Sequence, residues 1–184
     1  MQERITLISQ FNKTDLNYFN DLLKDLDLLC KVPYGKNVND RYKADTLPLH
    51  FTLSAWDIKD RDLILKKLNN IKFNDLNIKL NDIQIMKGKE KSYVLYINIE
   101  ENNELKELQQ KIYNELPTEK YNPDTFNFHI TIHIDKDYGK IIKLQEKLKT
   151  KFKQTEIKIN EYVLYEIYPA KLIKTYKNKD DENE

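Results

Sequence analysis

Apolar and polar residues alternate along several short segments of the chain, which is the period-2 pattern of β-strands. The strongest alternation predicts strands over residues 4–10, 47–55, 73–86, 92–99 and 126–135, with two shorter strands over 156–159 and 162–168. Between them, apolar residues recur at helical spacing. That spacing predicts helices over 14–29 (capped by Thr14 or Asp15), 57–68 (opened by Asp57 or Asp60), 100–115 and from Asp137 to about Leu148.

The order of these elements repeats within the chain. Residues 4–86 are predicted as strand, helix, strand, helix, strand, and residues 92–168 follow the same order. Two copies of one unit related by a pseudo-twofold axis would place their equivalent strands opposite each other across a cleft.

The third element of each copy carries the same tetrapeptide. His50-Phe51-Thr52-Leu53 and His129-Ile130-Thr131-Ile132 are both histidine, apolar, threonine, apolar. Side chains two positions apart on a strand share a face, so each histidine lies beside its threonine while the apolar residues point to the core. With three histidines and ten threonines in 184 residues, two such pairs arise by chance in about one per cent of cases. The alternative is two ordinary strands with a histidine on the solvent face.

Two imidazoles on opposite sides of one phosphodiester can catalyse its cleavage. One neutral histidine deprotonates the attacking oxygen, and one protonated histidine donates to the leaving oxygen. The two threonine hydroxyls would bind non-bridging phosphate oxygens. His50, Thr52, His129 and Thr131 are therefore the candidate catalytic residues. The sequence does not decide which histidine is the base.

The long polar connection over residues 31–48 precedes the first tetrapeptide. It carries basic and aromatic residues together, a combination that can hold a phosphate and stack a base. The candidate substrate-binding residues here are Tyr34, Arg41 and Lys43. A solvated loop without function explains the same composition equally well.

Composition excludes several classes of protein. Lysine and arginine number 31 against 30 acidic residues, a formal net charge of +1, which argues against a surface dominated by nucleic-acid electrostatics but leaves room for a basic cleft. Cys30 is the single cysteine, so no intrachain disulfide forms and a cytoplasmic location is expected. No metal-ligand motif, glycine-rich phosphate loop, signal peptide or membrane span is recognisable, so we expect neither metal nor cofactor and no membrane partner.

The paired tetrapeptides, with their histidines 79 positions apart in a duplicated element order, resemble the two-histidine phosphoesterase superfamily, and most closely its 2′,5′ RNA ligase-like, cyclic phosphodiesterase branch. The resemblance covers about residues 4–168. It implies an α+β fold with two pseudo-symmetric βαβαβ lobes, antiparallel sheets facing a central cleft, and helices outside. We expect one bilobal domain over 1–175, with lobes of roughly 1–88 and 89–175 that can exchange strands, and a charged tail over 176–184.

The same resemblance implies a metal-independent enzyme that acts on 2′,3′-cyclic phosphate or 2′,5′-linked RNA ends, or on small cyclic nucleotides. The partner would be an RNA end or a small phosphorylated nucleotide, and the protein a monomer. His133 departs from the expected pattern. It is expected on the face of Thr131, either contacting substrate or, as we favour, facing solvent, and Ser54 has the same position in the first motif.

Two other hypotheses remain open. One is a non-catalytic module that binds RNA or nucleotides in the same cleft. The other is a structural or interaction protein in which the tetrapeptides occur by chance and the two histidines do not converge.

Overall fold

The computed structural model describes residues 4–24, 47, 49–167 and 170–178. Its strands are β1 (Arg4–Gln10), β2 (Thr52–Asp57), β3 (Leu76–Lys87), β4 (Tyr93–Ile99), β5 (His129–Asp135), β6 (Thr155–Ile159), β7 (Glu161–Ile167) and β8 (Lys171–Lys177). Its α-helices are α1 (Lys13–Leu23), α2 (Arg61–Leu68), α3 (Asn103–Glu115) and α4 (Tyr138–Lys151). Short 3₁₀ helices cover Ile58–Asp60 and Glu119–Tyr121.

The strands form two antiparallel four-stranded sheets. The first sheet has the order β2-β1-β7-β8, and the second has the order β5-β4-β3-β6. β3, from the first half of the chain, therefore lies in the second sheet, and β7, from the second half, lies in the first. The two motif strands, β2 and β5, occupy equivalent edges of their sheets. This arrangement confirms the predicted α+β fold with two pseudo-symmetric, antiparallel halves.

The helices pack their apolar stripes against the sheets. α1 buries Phe19, Leu22 and Leu23, and α4 buries Ile141, Leu144 and Leu148. These residues join one large hydrophobic cluster that includes apolar side chains from both sheets. Burial of this shared cluster holds the two motif strands in a common frame, because moving one sheet relative to the other would expose apolar surface to water.

Helix starts differ from the predicted ones by one to four residues. Asn12, rather than Thr14 or Asp15, caps α1, and its side chain accepts a hydrogen bond from the backbone of Asp15 at 2.9 Å. Asn102 caps α3 in the same way, so that helix begins at Asn103 and not at Glu100. Asparagine is a strong helix cap because its side-chain oxygen satisfies a free backbone N–H. Asp137 caps α4, as predicted.

The pattern of residues does not predict β8. Lys171, Lys174 and Lys177 interrupt the strand, and Leu172 is 55% exposed. The strand nevertheless pairs with β7 along its length. Its buried Tyr176 packs its ring 4.8 Å from that of Phe73, within the segment where the charged tail was expected to begin. Pairing with β7 and packing on Phe73 therefore hold β8 at the edge of the sheet.

Candidate active site

An isolated antiparallel bridge joins the edges of the two sheets, and it lies in the middle of both motifs. Phe51 pairs with Ile130 across this bridge, and both side chains are fully buried. In antiparallel register, the residues flanking Phe51 face those flanking Ile130 in reverse order. His50 is therefore across from Thr131, and Thr52 is across from His129. The bridge thus brings all four candidate catalytic residues together.

Strand alternation turns these four residues to the face opposite the core. Phe51, Leu53, Ile130 and Ile132 are fully buried, as predicted, whereas the two histidines and two threonines are half-buried. We call the surface that carries these four half-buried residues the cleft face. Directly opposed residues have Cβ atoms about 5 Å apart, so one phosphate group can contact side chains from both strands.

Hydrogen bonds to Ser9 on β1 hold the backbone of Phe51 in place. The Ser9 backbone N–H donates to the Phe51 carbonyl at 3.0 Å, and the Phe51 N–H donates to the Ser9 hydroxyl at 3.2 Å. The ring of Phe51 also lies edge-on to that of Phe128, at 5.9 Å between centroids. The centre of the site is therefore packed and hydrogen-bonded, which is the support that a preorganised site requires.

Each motif strand contains one extra residue immediately after its threonine. Thr52 pairs with Ile8 and Ser54 pairs with Leu7, so Leu53 has no partner of its own. In β5, Thr131 pairs with Tyr96 and His133 pairs with Leu95, which leaves Ile132 as the extra residue. Such an insertion reverses the alternation of side chains beyond it.

His133 is consequently not where it was expected. The shift in register places it beside the buried Leu95 on the core side, and it is 2% exposed. The expectations that His133 shares the face of Thr131 and faces solvent are both wrong. Its Nε2 lies 3.7 Å from the Asp135 carboxylate. The equivalent Ser54 is 3% exposed for the same reason. A role for His133 in substrate binding stays a prediction.

The ring of His129 is oriented by its surroundings. Its Nδ1 lies 2.8 Å from the backbone carbonyl of Asn127. A carbonyl can only accept, so Nδ1 carries the proton and Nε2 is left as the reactive nitrogen. The rings of Tyr96 and Phe126 lie 5.3 Å and 6.2 Å from the imidazole. Burial lowers the pKa of His129, the nearby charge of Lys120 lowers it further, and the Asn127 carbonyl acts in the opposite direction.

Tyr96 is a site residue that the sequence analysis missed. It pairs with Thr131 on the cleft face, and its hydroxyl donates to the side-chain oxygen of Gln84 at 2.8 Å. Burial raises the pKa of Tyr96 above its ordinary value, so the hydroxyl stays protonated. The alternation within β4 predicts that Tyr96 and Leu95 point to opposite faces of the sheet. Only the pairing of β4 with β5 shows that Tyr96 lies beside the second tetrapeptide.

Three candidate substrate-binding residues cannot be placed relative to the motif residues. Tyr34, Arg41 and Lys43 lie outside the described residues, and their substrate-binding role stays a prediction. Within the described ranges, no group of three or more histidine, cysteine, aspartate or glutamate side chains is arranged to hold a metal ion. Nor does any helix in that part of the chain have the length and apolar character needed to cross a membrane.

Several solved structures share this fold. One is described as a phosphoesterase, with a TM-score of 0.63 at 11% identity over 96% of this chain and 98% of that one. Escherichia coli LigT complexed with 3′-AMP matches with a TM-score of 0.60 at 11% identity, covering 97% and 99%. Kluyveromyces marxianus Usb1 with uridine monophosphate matches with a TM-score of 0.56 at 11% identity, covering 96% and 98%. At such low identity these matches show the fold alone.

The search of curated proteins gives no match. The family model of the 2′-5′ RNA ligase superfamily matches residues 31–168, about three quarters of the chain, and this range contains both tetrapeptides. The chain therefore belongs to the 2′-5′ RNA ligase superfamily.

Proposed function

We propose that this protein is a metal-independent phosphoesterase that acts on 2′,3′-cyclic phosphate or 2′,5′-linked RNA ends, or on small cyclic nucleotides. The observation that carries the proposal is the bridge between Phe51 and Ile130. Because of its register, two histidines and two threonines from remote parts of the chain face one another on a single surface. That is the arrangement that acid–base catalysis at one phosphorus atom needs.

The surroundings of His129 favour it as the base. Its pKa lies below the ordinary value, so its imidazole is neutral near pH 7, and Nε2 is free of the Asn127 contact. In hydrolysis of a cyclic phosphate, this nitrogen takes a proton from the attacking water. The water oxygen bonds to phosphorus, the bond from phosphorus to the 2′ or 3′ oxygen breaks, and protonated His50 gives its proton to that oxygen.

The threonine hydroxyls would stabilise the negative charge that develops on the non-bridging phosphate oxygens. Thr52 and Thr131 each lie across from the histidine of the other motif. Their hydroxyls can donate to the two non-bridging oxygens while the histidines act on the attacking and leaving oxygens. Donors aimed at charge that grows in the transition state commonly contribute the largest part of catalysis.

Nucleotides bound by proteins of the same fold support a nucleotide substrate. The E. coli LigT structure holds 3′-AMP, and the K. marxianus Usb1 structure holds uridine monophosphate. A 3′-monophosphate is also the product of opening a 2′,3′-cyclic phosphate at its 2′ oxygen. A monomeric state and a cytoplasmic location stay predictions.

The test is hydrolysis of nucleoside 2′,3′-cyclic phosphates in the presence of EDTA. We expect turnover that EDTA does not remove, and a loss of about 10²–10⁴-fold in kcat for both His50→Ala and His129→Ala. Lys66→Gln, at an exposed position on α2, is the matched control and retains full turnover. The position of the remaining phosphate, 2′ or 3′, identifies the oxygen that leaves.

Turnover by the wild-type protein separates the proposal from a non-catalytic binding module. If the wild-type protein binds cyclic nucleotides but converts neither these nor 2′,5′-linked dinucleotides, the proposal is wrong and the binding module is favoured. Turnover that disappears with EDTA would also contradict it. Thermal unfolding of each variant checks that a loss of turnover is not a loss of folding.

A further inference from the structure

A large cavity lies beside the candidate active site and has no part in the mechanism above. Its volume is about 1080 Å³. Its walls come from the hairpin between β3 and β4, the end of β5 and the start of α4, and two further residues reach it from β1 and from the 3₁₀ helix before β5. The cations of its lining are Arg4, Lys87, Lys89, Lys120, Lys136 and Lys140. We call this the basic cavity.

Cations outnumber carboxylates around the basic cavity. Its lining holds six cations against only two carboxylates, Glu90 and Asp135, although the whole chain has a net charge of +1. Among the described residues, no ion pair within 4.0 Å involves these six cations, although the Lys120 ammonium lies 5.0 Å from the centroid of the Tyr121 ring and Lys140 interacts electrostatically with Asp135. Elsewhere lysines are paired closely, as Lys67 with Glu115 at 2.8 Å and Lys158 with Asp75 at 2.6 Å. Six cations around one space, with only two carboxylates among them, favour the binding of a polyanion.

The basic cavity adjoins the motif residues. Val94, which pairs with Met86, lies two residues before Tyr96 on β4 and so shares its face. Two residues of a strand span about 7 Å, so the cavity begins one row of side chains from Thr131. Lys120 belongs to the cavity lining and also influences the pKa of His129 through its charge. A chain held at His129 and Thr131 would therefore enter the cavity directly.

The hairpin that carries two of the lysines has a defined shape. The Gly88 N–H donates to the Ser92 carbonyl at 2.8 Å, and the Ser92 N–H donates to the Lys89 carbonyl at 3.0 Å. A side chain at Gly88 would collide with the Ser92 hydroxyl. The tip is thus closed by its own hydrogen bonds, and it holds the backbone of Lys87 and Lys89 in place before a ligand arrives, which reduces the entropic cost of binding.

We propose that the basic cavity binds the sugar–phosphate backbone of single-stranded RNA that continues from the reacting phosphate. This inference rests on the proposed function and makes an RNA end, rather than a free mononucleotide, the preferred substrate. A single terminal phosphate would bind at the motif residues, and its charge would not account for six further cations. Successive backbone phosphates match them, and the apolar floor of Met86, Val94 and Ile134 accommodates sugars and bases.

The experiment measures binding of a six-nucleotide single-stranded RNA with a 5′ fluorescein and a 3′-phosphate by fluorescence anisotropy. The test variant is Lys87→Gln with Lys89→Gln. At 0.1 M salt, loss of two phosphate contacts weakens binding about 25-fold, and the slope of log K against log salt becomes about 1.4 less steep. The control variant, Lys66→Gln with Lys143→Gln, removes the same charge from exposed helix positions and leaves the affinity within about twofold of wild type.

Unlabelled uridine 3′-monophosphate, used as a competitor, tests the alternative that the cavity holds the terminal nucleotide itself. We expect its inhibition constant to change much less than the dissociation constant of the hexanucleotide. Equal changes for both ligands, or equal losses in the test and control variants, would overturn the inference. Because the readout is binding, its failure is distinct from a failure of turnover in the EDTA experiment.

Discussion

The first motif strand, β2, and the second, β5, both insert one residue immediately after their threonine. In both, the inserted residue and the one after it are buried in succession, and the histidine and threonine stay on the cleft face. The backbone geometry of the two halves is therefore the same at this point, although β2 and β5 share only the tetrapeptide pattern.

The side chains around the two threonines differ. Thr52 pairs with the aliphatic Ile8, whereas Thr131 pairs with Tyr96, whose ring also packs against His129. The buried residue after the insertion is the small Ser54 in one strand and the imidazole of His133 in the other. The two halves therefore share the backbone geometry of the motif but differ in the side chains beside the threonine, and in the second half burial lowers the pKa of His129.

The largest expected effect tests whether the two threonines contribute equally to turnover. Thr52→Val and Thr131→Val each remove one hydroxyl and keep the shape of the side chain. We expect each to lower kcat on 2′,3′-cyclic phosphates by about 10²–10³-fold, because one donor to the developing charge is lost. A loss below threefold in either variant, measured with folding checked by circular dichroism, would show that its hydroxyl does not contact the phosphate.

The two buried residues after the insertions should differ in their contribution to stability. His133→Ala removes a large buried side chain and its contact with Asp135, and we expect it to lower the free energy of unfolding by about 2 kcal/mol. Ser54→Ala removes only a hydroxyl and is expected to cost less than about 1 kcal/mol. Urea unfolding monitored by Trp56 fluorescence measures both. Equal costs would contradict the different packing inferred for the two sites.

The smallest effect concerns the pH dependence. If His129 is the base, kcat/KM falls as the pH drops through its pKa, which burial places below the ordinary value of about 6.5. The charge of Lys120 lowers this pKa, so Lys120→Gln raises it and moves the acidic limb to higher pH by a fraction of a unit. Lys143→Gln is the control, with an unchanged limb. A shift to lower pH after Lys120→Gln would argue against His129 as the base.

Local patterns were sufficient to predict most of the elements and the composition of the cleft face. Alternation identified β1, β3, β4 and both motif strands, and the pairing of Phe51 with Ile130 agrees with the prediction that the two tetrapeptides converge. β8 was missed because its three lysines hide the alternation and its burial depends on Phe73, far away in the sequence. The prediction that His133 faces solvent was wrong because strand alternation assumes that no residue is inserted.

Histidine and threonine at period 2, repeated with apolar neighbours, can be recognised from the order of residues along the chain, and this pattern identified the candidate residues. How these residues meet depends on tertiary structure. Strand pairing between remote segments set the register of Phe51 against Ile130, the exchange of β3 and β7 between sheets, and the insertion that buries His133. These features depend on hydrogen bonds and packing across long separations in sequence, and no local pattern of residues contains them.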